Sequence, residues 1–186
     1  STLAGLPCVF VRLSGCNLDC AWCDTPYSKT ESVPMGLDRI LEKVMSFGCG
    51  LVEITGGEPL IQDETPALAS ALLDKGYRVL METNGSRDIG IVDPRCVRIM
   101  DIKCPSSGEQ ASFEEKNLDR LTPADEIKFV LGSRRDYEFA RHLIQTRLGR
   151  ISQDKIHLSP VFGRLSPADL GAWILDDRLG ARLSIQ

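Results

Sequence analysis

Histidine is nearly absent from this chain of 186 residues, and neither sign of charge nor any long apolar run dominates it. The two histidines, His142 and His157, lie far apart and lack the pair spacing of a zinc site. No stretch approaches the ~20 apolar residues a helix needs to span a bilayer. The first residues show neither the charged nor the apolar region of a secretory signal. With 22 basic and 26 acidic residues the net charge is -4, so a general polyanion-binding surface is not expected and nucleic acid is not a candidate ligand. No internal repeat and no low-complexity linker divides the chain, and the length suits one domain over residues 1–186. Seven cysteines, an odd number, argue against a disulfide framework and for a reducing compartment, hence a cytoplasmic location.

Three of those cysteines are clustered. Cys16, Cys20 and Cys23 fall in the run from Gly15 to Thr25, a spacing that presents three thiolates where a closed structural zinc site or an ordinary iron-sulfur site takes four. A cluster held by three protein ligands keeps one iron open to a small molecule. The competing readings are structural zinc and simple buried thiols. Cys8, Cys49, Cys96 and Cys104 are isolated, each a fourth ligand only if folding brings it near.

Short β-branched runs alternate with helical periods, which predicts parallel strands joined by crossover helices. Strands are expected at Cys8 to Leu13, Leu51 to Thr55, Arg78 to Glu82, Val97 to Ile102, Glu126 to Val130 and Ile156 to Ser159, with Arg182 to Ile185 as one more short strand. Helices are expected at Leu37 to Phe47, Thr65 to Lys75, Arg134 to Arg147 and Pro167 to Leu175. The first buries Leu37, Ile40, Leu41, Val44 and Met45 and stops at Gly48; Ser166 caps the last, ahead of Pro167. Pattern alone fits a doubly wound sheet or an incomplete barrel. Polar and glycine-rich signatures follow nearly every strand, and barrel enzymes build their sites from such loops, so an α/β partial (β/α)6 TIM-type barrel is favoured.

Thr55-Gly56-Gly57-Glu58-Pro59 follows an apolar strand, and paired glycines let backbone amides approach a ligand; alone, the pair reads equally as a tight turn. Together with Cys16, Cys20 and Cys23 it resembles the radical S-adenosylmethionine (SAM) enzymes. The segments Phe10 to Leu18, Cys23-Asp24-Thr25-Pro26-Tyr27, Glu82 to Ser86, Asp101 to Gly108, Lys128-Phe129-Val130 and Ser159 to Gly163 are similar, in order, to the 7-carboxy-7-deazaguanine synthase family. That resemblance implies the radical SAM fold. It also implies a 4Fe-4S cluster on Cys16, Cys20 and Cys23 whose open iron binds SAM and, when reduced, cleaves it to a 5'-deoxyadenosyl radical. The implied reaction turns 6-carboxy-5,6,7,8-tetrahydropterin into 7-carboxy-7-deazaguanine with loss of ammonia, a lyase step toward queuosine and related deazapurines. A reducing partner such as flavodoxin or ferredoxin and a homodimer are expected with it.

The resemblance also assigns residues. Arg12 and Thr55 contact the pterin, Thr25 binds Mg2+, and Gly57, Asp101, Ile102, Lys103, Ser159, Pro160, Val161 and Phe162 meet SAM, with Glu82 and Asn84 as further cofactor contacts. Arg12 stands in an apolar strand, where a buried guanidinium calls for a two-pronged carboxylate partner; otherwise it lies on an exposed strand face. Thr25 reads equally as a turn residue before Pro26, and Asn84-Gly85 as a turn pair. The family's Gln-Gly-Glu segment and its C-terminal histidine-containing tail have no counterpart between Ser1 and Gln186. The rival functions are an activase that places a glycyl radical on a protein, and a metal-binding module without catalysis.

Overall fold

A computed structural model describes residues 3–185; Ser1, Thr2 and Gln186, the ends of the chain weighed above, lie outside the described residues. Seven strands form one sheet: β1 (Val9–Leu13), β2 (Leu51–Gly56), β3 (Arg78–Thr83), β4 (Val97–Asp101), β5 (Glu126–Leu131), β6 (Ile156–Pro160) and β7 (Arg182–Leu183). Their order in the sheet is their order in the chain, and every neighbouring pair is parallel. A doubly wound sheet reverses direction at a switch point; continuous winding in one direction is the barrel arrangement. Among the described residues β1 and β7 do not pair with each other, so the barrel is open.

The helices are α1 (Leu37–Ser46), α2 (Thr65–Asp74), α3 (Asn117–Arg120), α4 (Arg134–Thr146) and α5 (Pro167–Asp176). Four of them match the periodic segments of the sequence. Gly48 adopts a left-handed φ of +62° just past α1, and Ser166 accepts a hydrogen bond from the Ala168 amide to cap α5. Two expectations change. Met45 is exposed rather than buried, because α1 turns only Leu41 and Val44 fully inward. The link from β3 to β4 holds only a 3-10 turn, Ile89–Ile91, since Gly85, Gly90 and Pro94 interrupt a segment too short for a helix.

Alternation along the strands sorts the sheet into two faces. Val52, Ile54, Met81, Met100, Ile127, Phe129 and Leu158 point outward into the main core beneath the helices, with Leu68, Leu72, Tyr137, Ala140 and Leu170. The inner face starts apolar, where Leu51, Leu80 and Ile99 form a small second core at the N-terminal ends of the strands. Further along it turns polar, with Arg12, Thr55, Glu82, Asp101, Lys128 and Ser159. Among the described residues no helix is long and apolar enough to cross a membrane.

One outer-face charge is fully paired. Arg98 on β4 meets Asp125 through two prongs, Nε to Oδ1 at 3.0 Å and an Nη2 contact to Oδ2 at 2.5 Å, and donates further to the Ile89 and Arg120 carbonyls. Asp125 also accepts from the amides of Arg98 and Thr122. Removing one partner of a buried pair strands the other charge, so Asp125→Ala is expected to lower unfolding stability by about 3–5 kcal/mol in chemical denaturation.

Candidate active site

Strand ends and loops converge on one cavity of about 380 Å3 at the inner face. Cys16, Cys20 and Cys23 line it from the loop after β1. All seven cysteines are free thiols; Cys96 and Cys104 are buried in the main core, and Cys8 and Cys49 pack at the opposite end of the barrel, so none of the four reaches the cavity. Burial pushes the Cys96 thiol up to about 12 and that of Cys104 well above its ordinary value, as befits inert core cysteines.

The cysteine loop is tethered on several sides. The Gly15 amide donates to the Ser28 carbonyl at 2.7 Å, the Ala21 amide to the Ser107 carbonyl at 3.0 Å, and the Asp19 amide to Glu109 Oε1 at 2.6 Å. Lys29 closes the loop on Asp19 at 2.6 Å, and Asn17 bonds Ser86 and Asn84. Asn84 Nδ2 also reaches the Cys16 sulfur at 4.0 Å. Burial raises the Cys20 thiol, and the nearby Lys103 ammonium opposes that rise.

The two glycines after β2 serve a different purpose from the one their pattern suggests. A Cβ on Gly56, whose φ is +142°, would lie 1.9 Å from the Leu13 carbonyl oxygen; one on Gly57 would lie 1.9 Å from that of Gly15. The close approach is therefore by the chain leaving β1. The Gly57 amide donates to Leu13 and the Glu58 amide to Gly15, so neither is left for a ligand. Glu58, fully buried, then accepts from the Leu60 amide at 3.0 Å, Thr83 Oγ1 at 2.7 Å and the Asn84 amide at 2.6 Å. Burial raises its carboxyl above the ordinary value, against the pull of those three donors.

Charges on the inner face are matched in pairs. Lys103 contacts Asp101 at 2.8 Å and Lys128 contacts Glu82 at 3.4 Å, while Thr55 Oγ1 donates to Glu82 at 3.5 Å. Burial works against both lysine charges, but the neighbouring carboxylates outweigh it and hold both lysines protonated beyond their ordinary range. Asp101 Oδ1 and Ser159 Oγ are buried without a hydrogen-bond partner among the described residues. Arg12 also lines the cavity, yet it is exposed, not buried as an arginine in an apolar strand led us to expect, because β1 is an edge strand. Its guanidinium makes no hydrogen bond or ion pair among the described residues.

Of the residues singled out in the sequence, Cys16, Cys20, Cys23, Arg12, Thr25, Thr55, Gly57, Glu82, Asn84, Asp101, Lys103 and Ser159 meet at this cavity. Ile102 and Val161 are buried in packing, Pro160 ends β6, and Phe162 is fully exposed; none of these four lines it. Lys29, Lys128, Glu53 and His157 line it without having been singled out. Three of the four occupy inward positions on β2, β5 and β6, so strand alternation carried the signal for them.

The donor set suits a cluster. Cys16, Cys20 and Cys23 are free thiols that line one cavity. A cubane offers each thiolate its own iron, so three thiols beside the cations Lys29 and Lys103 fit it.

Glu58→Ala would leave three buried donors unpaired. It is expected to reduce unfolding stability by about 3 kcal/mol or more and to loosen the loops after β2 and β3, measured by denaturation and by faster amide exchange at Leu60 and Asn84.

Comparison with known proteins agrees with this geometry. Residues 10–100 match the model of the Radical SAM superfamily. The 7-carboxy-7-deazaguanine synthase of Koribacter versatilis is 44% identical, with 100% of this chain and 88% of that protein covered. The enzyme of the same name from Chlorobaculum tepidum is 42% identical, covering 100% of this chain and 86% of the relative. The crystal structure of QueE from Escherichia coli superposes with a TM-score of 0.78 at 26% identity, covering 98% of this chain and 86% of that one. Streptococcus suis SuiB, solved with S-adenosylmethionine, is 15% identical with a TM-score of 0.67 over 96% of this chain and 50% of that one, a likeness of fold alone. The chain belongs to the 7-carboxy-7-deazaguanine synthase family of radical SAM enzymes.

Proposed function

We infer that this chain converts 6-carboxy-5,6,7,8-tetrahydropterin to 7-carboxy-7-deazaguanine with loss of ammonia, as a radical SAM lyase of queuosine biosynthesis. The observation that carries this reading is a single cavity that brings three free cysteines together with the Gly57 loop and the unpaired cation Arg12, in a chain 44% identical to a synthase of that name. Cys16, Cys20 and Cys23 are the residues to hold the 4Fe-4S cluster. With SAM bound, the reduced cluster supplies the radical that begins the rearrangement.

The protein's own part is positioning and exclusion of water. Gly57, Glu82, Asn84, Asp101, Lys103 and Ser159 form the wall toward SAM, and the unpartnered oxygens of Asp101 and Ser159 await a polar ligand there. Ile102, Pro160 and Val161 have buried side chains, which leaves their main chain for contact, whereas the exposed Phe162 keeps its side chain free to meet a ligand. Thr55 faces the pterin. Thr25, whose carbonyl is taken by Ser28, keeps its hydroxyl clear of the following 3-10 turn and is the candidate ligand of a Mg2+ completed by substrate oxygens and water. The free cysteines fit a cytoplasmic setting, and the reading extends to a flavodoxin or ferredoxin donor and to a homodimer covering an open edge of the sheet.

Arg12 binds the substrate carboxylate. An exposed, unpaired guanidinium at the cavity edge offers a two-pronged contact that lysine lacks.

The first test is anaerobic: reconstitute and reduce the protein, add SAM, Mg2+ and the tetrahydropterin, and measure product by mass spectrometry. Product is expected from the wild type and none from Cys16→Ala, Cys20→Ala or Cys23→Ala; a protein-bound radical in its place would favour the activase. In the same assay Thr25→Ala is expected to weaken the response to Mg2+. Arg12→Lys is expected to raise KM about tenfold or more, and an unchanged KM would remove Arg12 from substrate binding.

A further inference from the structure

His157 lies on the inward face of β6, is 2% exposed, and lines the cavity, yet no role above uses it. Both of its ring nitrogens are engaged. Nε2 stands 2.9 Å from Glu126 Oε2 on β5, and Nδ1 stands 2.9 Å from Ser184 Oγ, just past β7. Ser184 is held a second time, because its amide donates to the Leu158 carbonyl at 2.9 Å, and its side chain faces the same cavity.

The order of donors follows from chemistry. A carboxylate can only accept, so Glu126 fixes the hydrogen of the neutral ring on Nε2. Nδ1 is then a lone pair, and the Ser184 hydroxyl hydrogen is committed to it. Toward the cavity Ser184 Oγ presents only lone pairs. A serine hydroxyl is ordinarily donor and acceptor at will; with the ring in its neutral form, the buried pair behind it makes it an acceptor alone.

We propose that Ser184, held by His157 and Glu126, is the specificity-determining acceptor for an N–H donor on the heterocyclic substrate. The proposal rests on the tetrahydropterin reading. That molecule carries its carboxylate at one end and an aminopyrimidine with N–H donors at the other. Arg12, the unpaired cation, stands on the first strand of the sheet, Ser184 follows the last, and both line the one cavity, so it offers a cation to one pole of the substrate and an acceptor to the other.

The test is steady-state kinetics of the reconstituted enzyme with Ser184→Ala, Ser184→Thr, His157→Phe and the Ser184→Ala/His157→Phe double variant, alongside iron content and circular dichroism. Losing one acceptor opposite a buried donor is expected to raise KM for the pterin about tenfold in Ser184→Ala, with kcat changed less than about twofold, and Ser184→Thr is expected to restore it. His157→Phe acts through Ser184, so its KM should rise similarly and the double variant should add little. Wild-type KM in Ser184→Ala, equal loss in Ser184→Ala and Ser184→Thr, or loss of iron or fold in the Ser184 variants would each overturn the proposal. Should His157→Phe fail to fold, the two Ser184 single variants still decide. Wild-type protein that loads its cluster and cleaves SAM but makes no deazaguanine would instead overturn the tetrahydropterin reading, a result distinct from any of these.

Discussion

Everything at the mouth of this barrel hangs on the buried carboxylate of Glu58. Its two oxygens collect the Leu60 and Asn84 amides and the Thr83 hydroxyl, so the loop after β2 is fastened to the end of β3. Its own amide is fastened to Gly15, at the start of the cysteine loop. Three chain segments distant in sequence are thereby set by one residue. An anion without water is unfavourable unless donors surround it, and here the donors are backbone and hydroxyl groups that the fold has already fixed. The cysteine loop is set against the cavity because this junction ties its start to the ends of β2 and β3.

The rest of the site is a consequence of parallel winding. Each strand buries its outward residues under helices and turns the alternate ones into the barrel, and at the C-terminal ends those alternate residues are charged or hydroxylated. Charges in such a place are tolerated in pairs. Lys103 with Asp101 and Lys128 with Glu82 satisfy that rule across the middle of the sheet. Lys128 and Glu82 reach across the intervening β4, and Lys103 and Asp101 lie two residues apart at its end, so each of these cations meets a carboxylate within the wall.

Much of this was legible beforehand, and the exceptions have physical causes. The strands were readable because β-branched runs on a parallel sheet are apolar on both faces, and the observed ends differ from those expected by about a residue. The cysteine spacing was readable because it is local. Gly56 and Gly57 were recognised as a close approach, but what approaches is the backbone of β1, a tertiary fact invisible in a linear string. Arg12 was expected to be buried because its neighbours are apolar; the edge position of β1 depends on which strands pair, and pairing is not written in any one segment. His157 was weighed only as a zinc ligand, since its partners, Glu126 and Ser184, lie 31 and 27 residues away. A relation of that kind appears only when β5, β6 and the residues past β7 are brought side by side.

The balance of charge around the cavity gives it a direction. Lys29 is taken by Asp19, Lys103 by Asp101 and Lys128 by Glu82, while Arg12 is left with no such partner among the described residues. A paired cation projects a short-ranged field, whereas an unpaired guanidinium at a partly desolvated edge attracts the first carboxylate that can bring two oxygens to it. In the proposed reading a ligand with one anionic end is drawn end-first toward β1, and its remaining polar groups are compared against the wall at the other edge of the sheet. In this barrel that wall is β6 and the residues after β7, where the hydroxyls of Ser159 and Ser184 face inward. If Arg12 and Ser184 act as proposed, orientation is set by charge at one edge of the open sheet and discrimination by hydrogen bonds at the other.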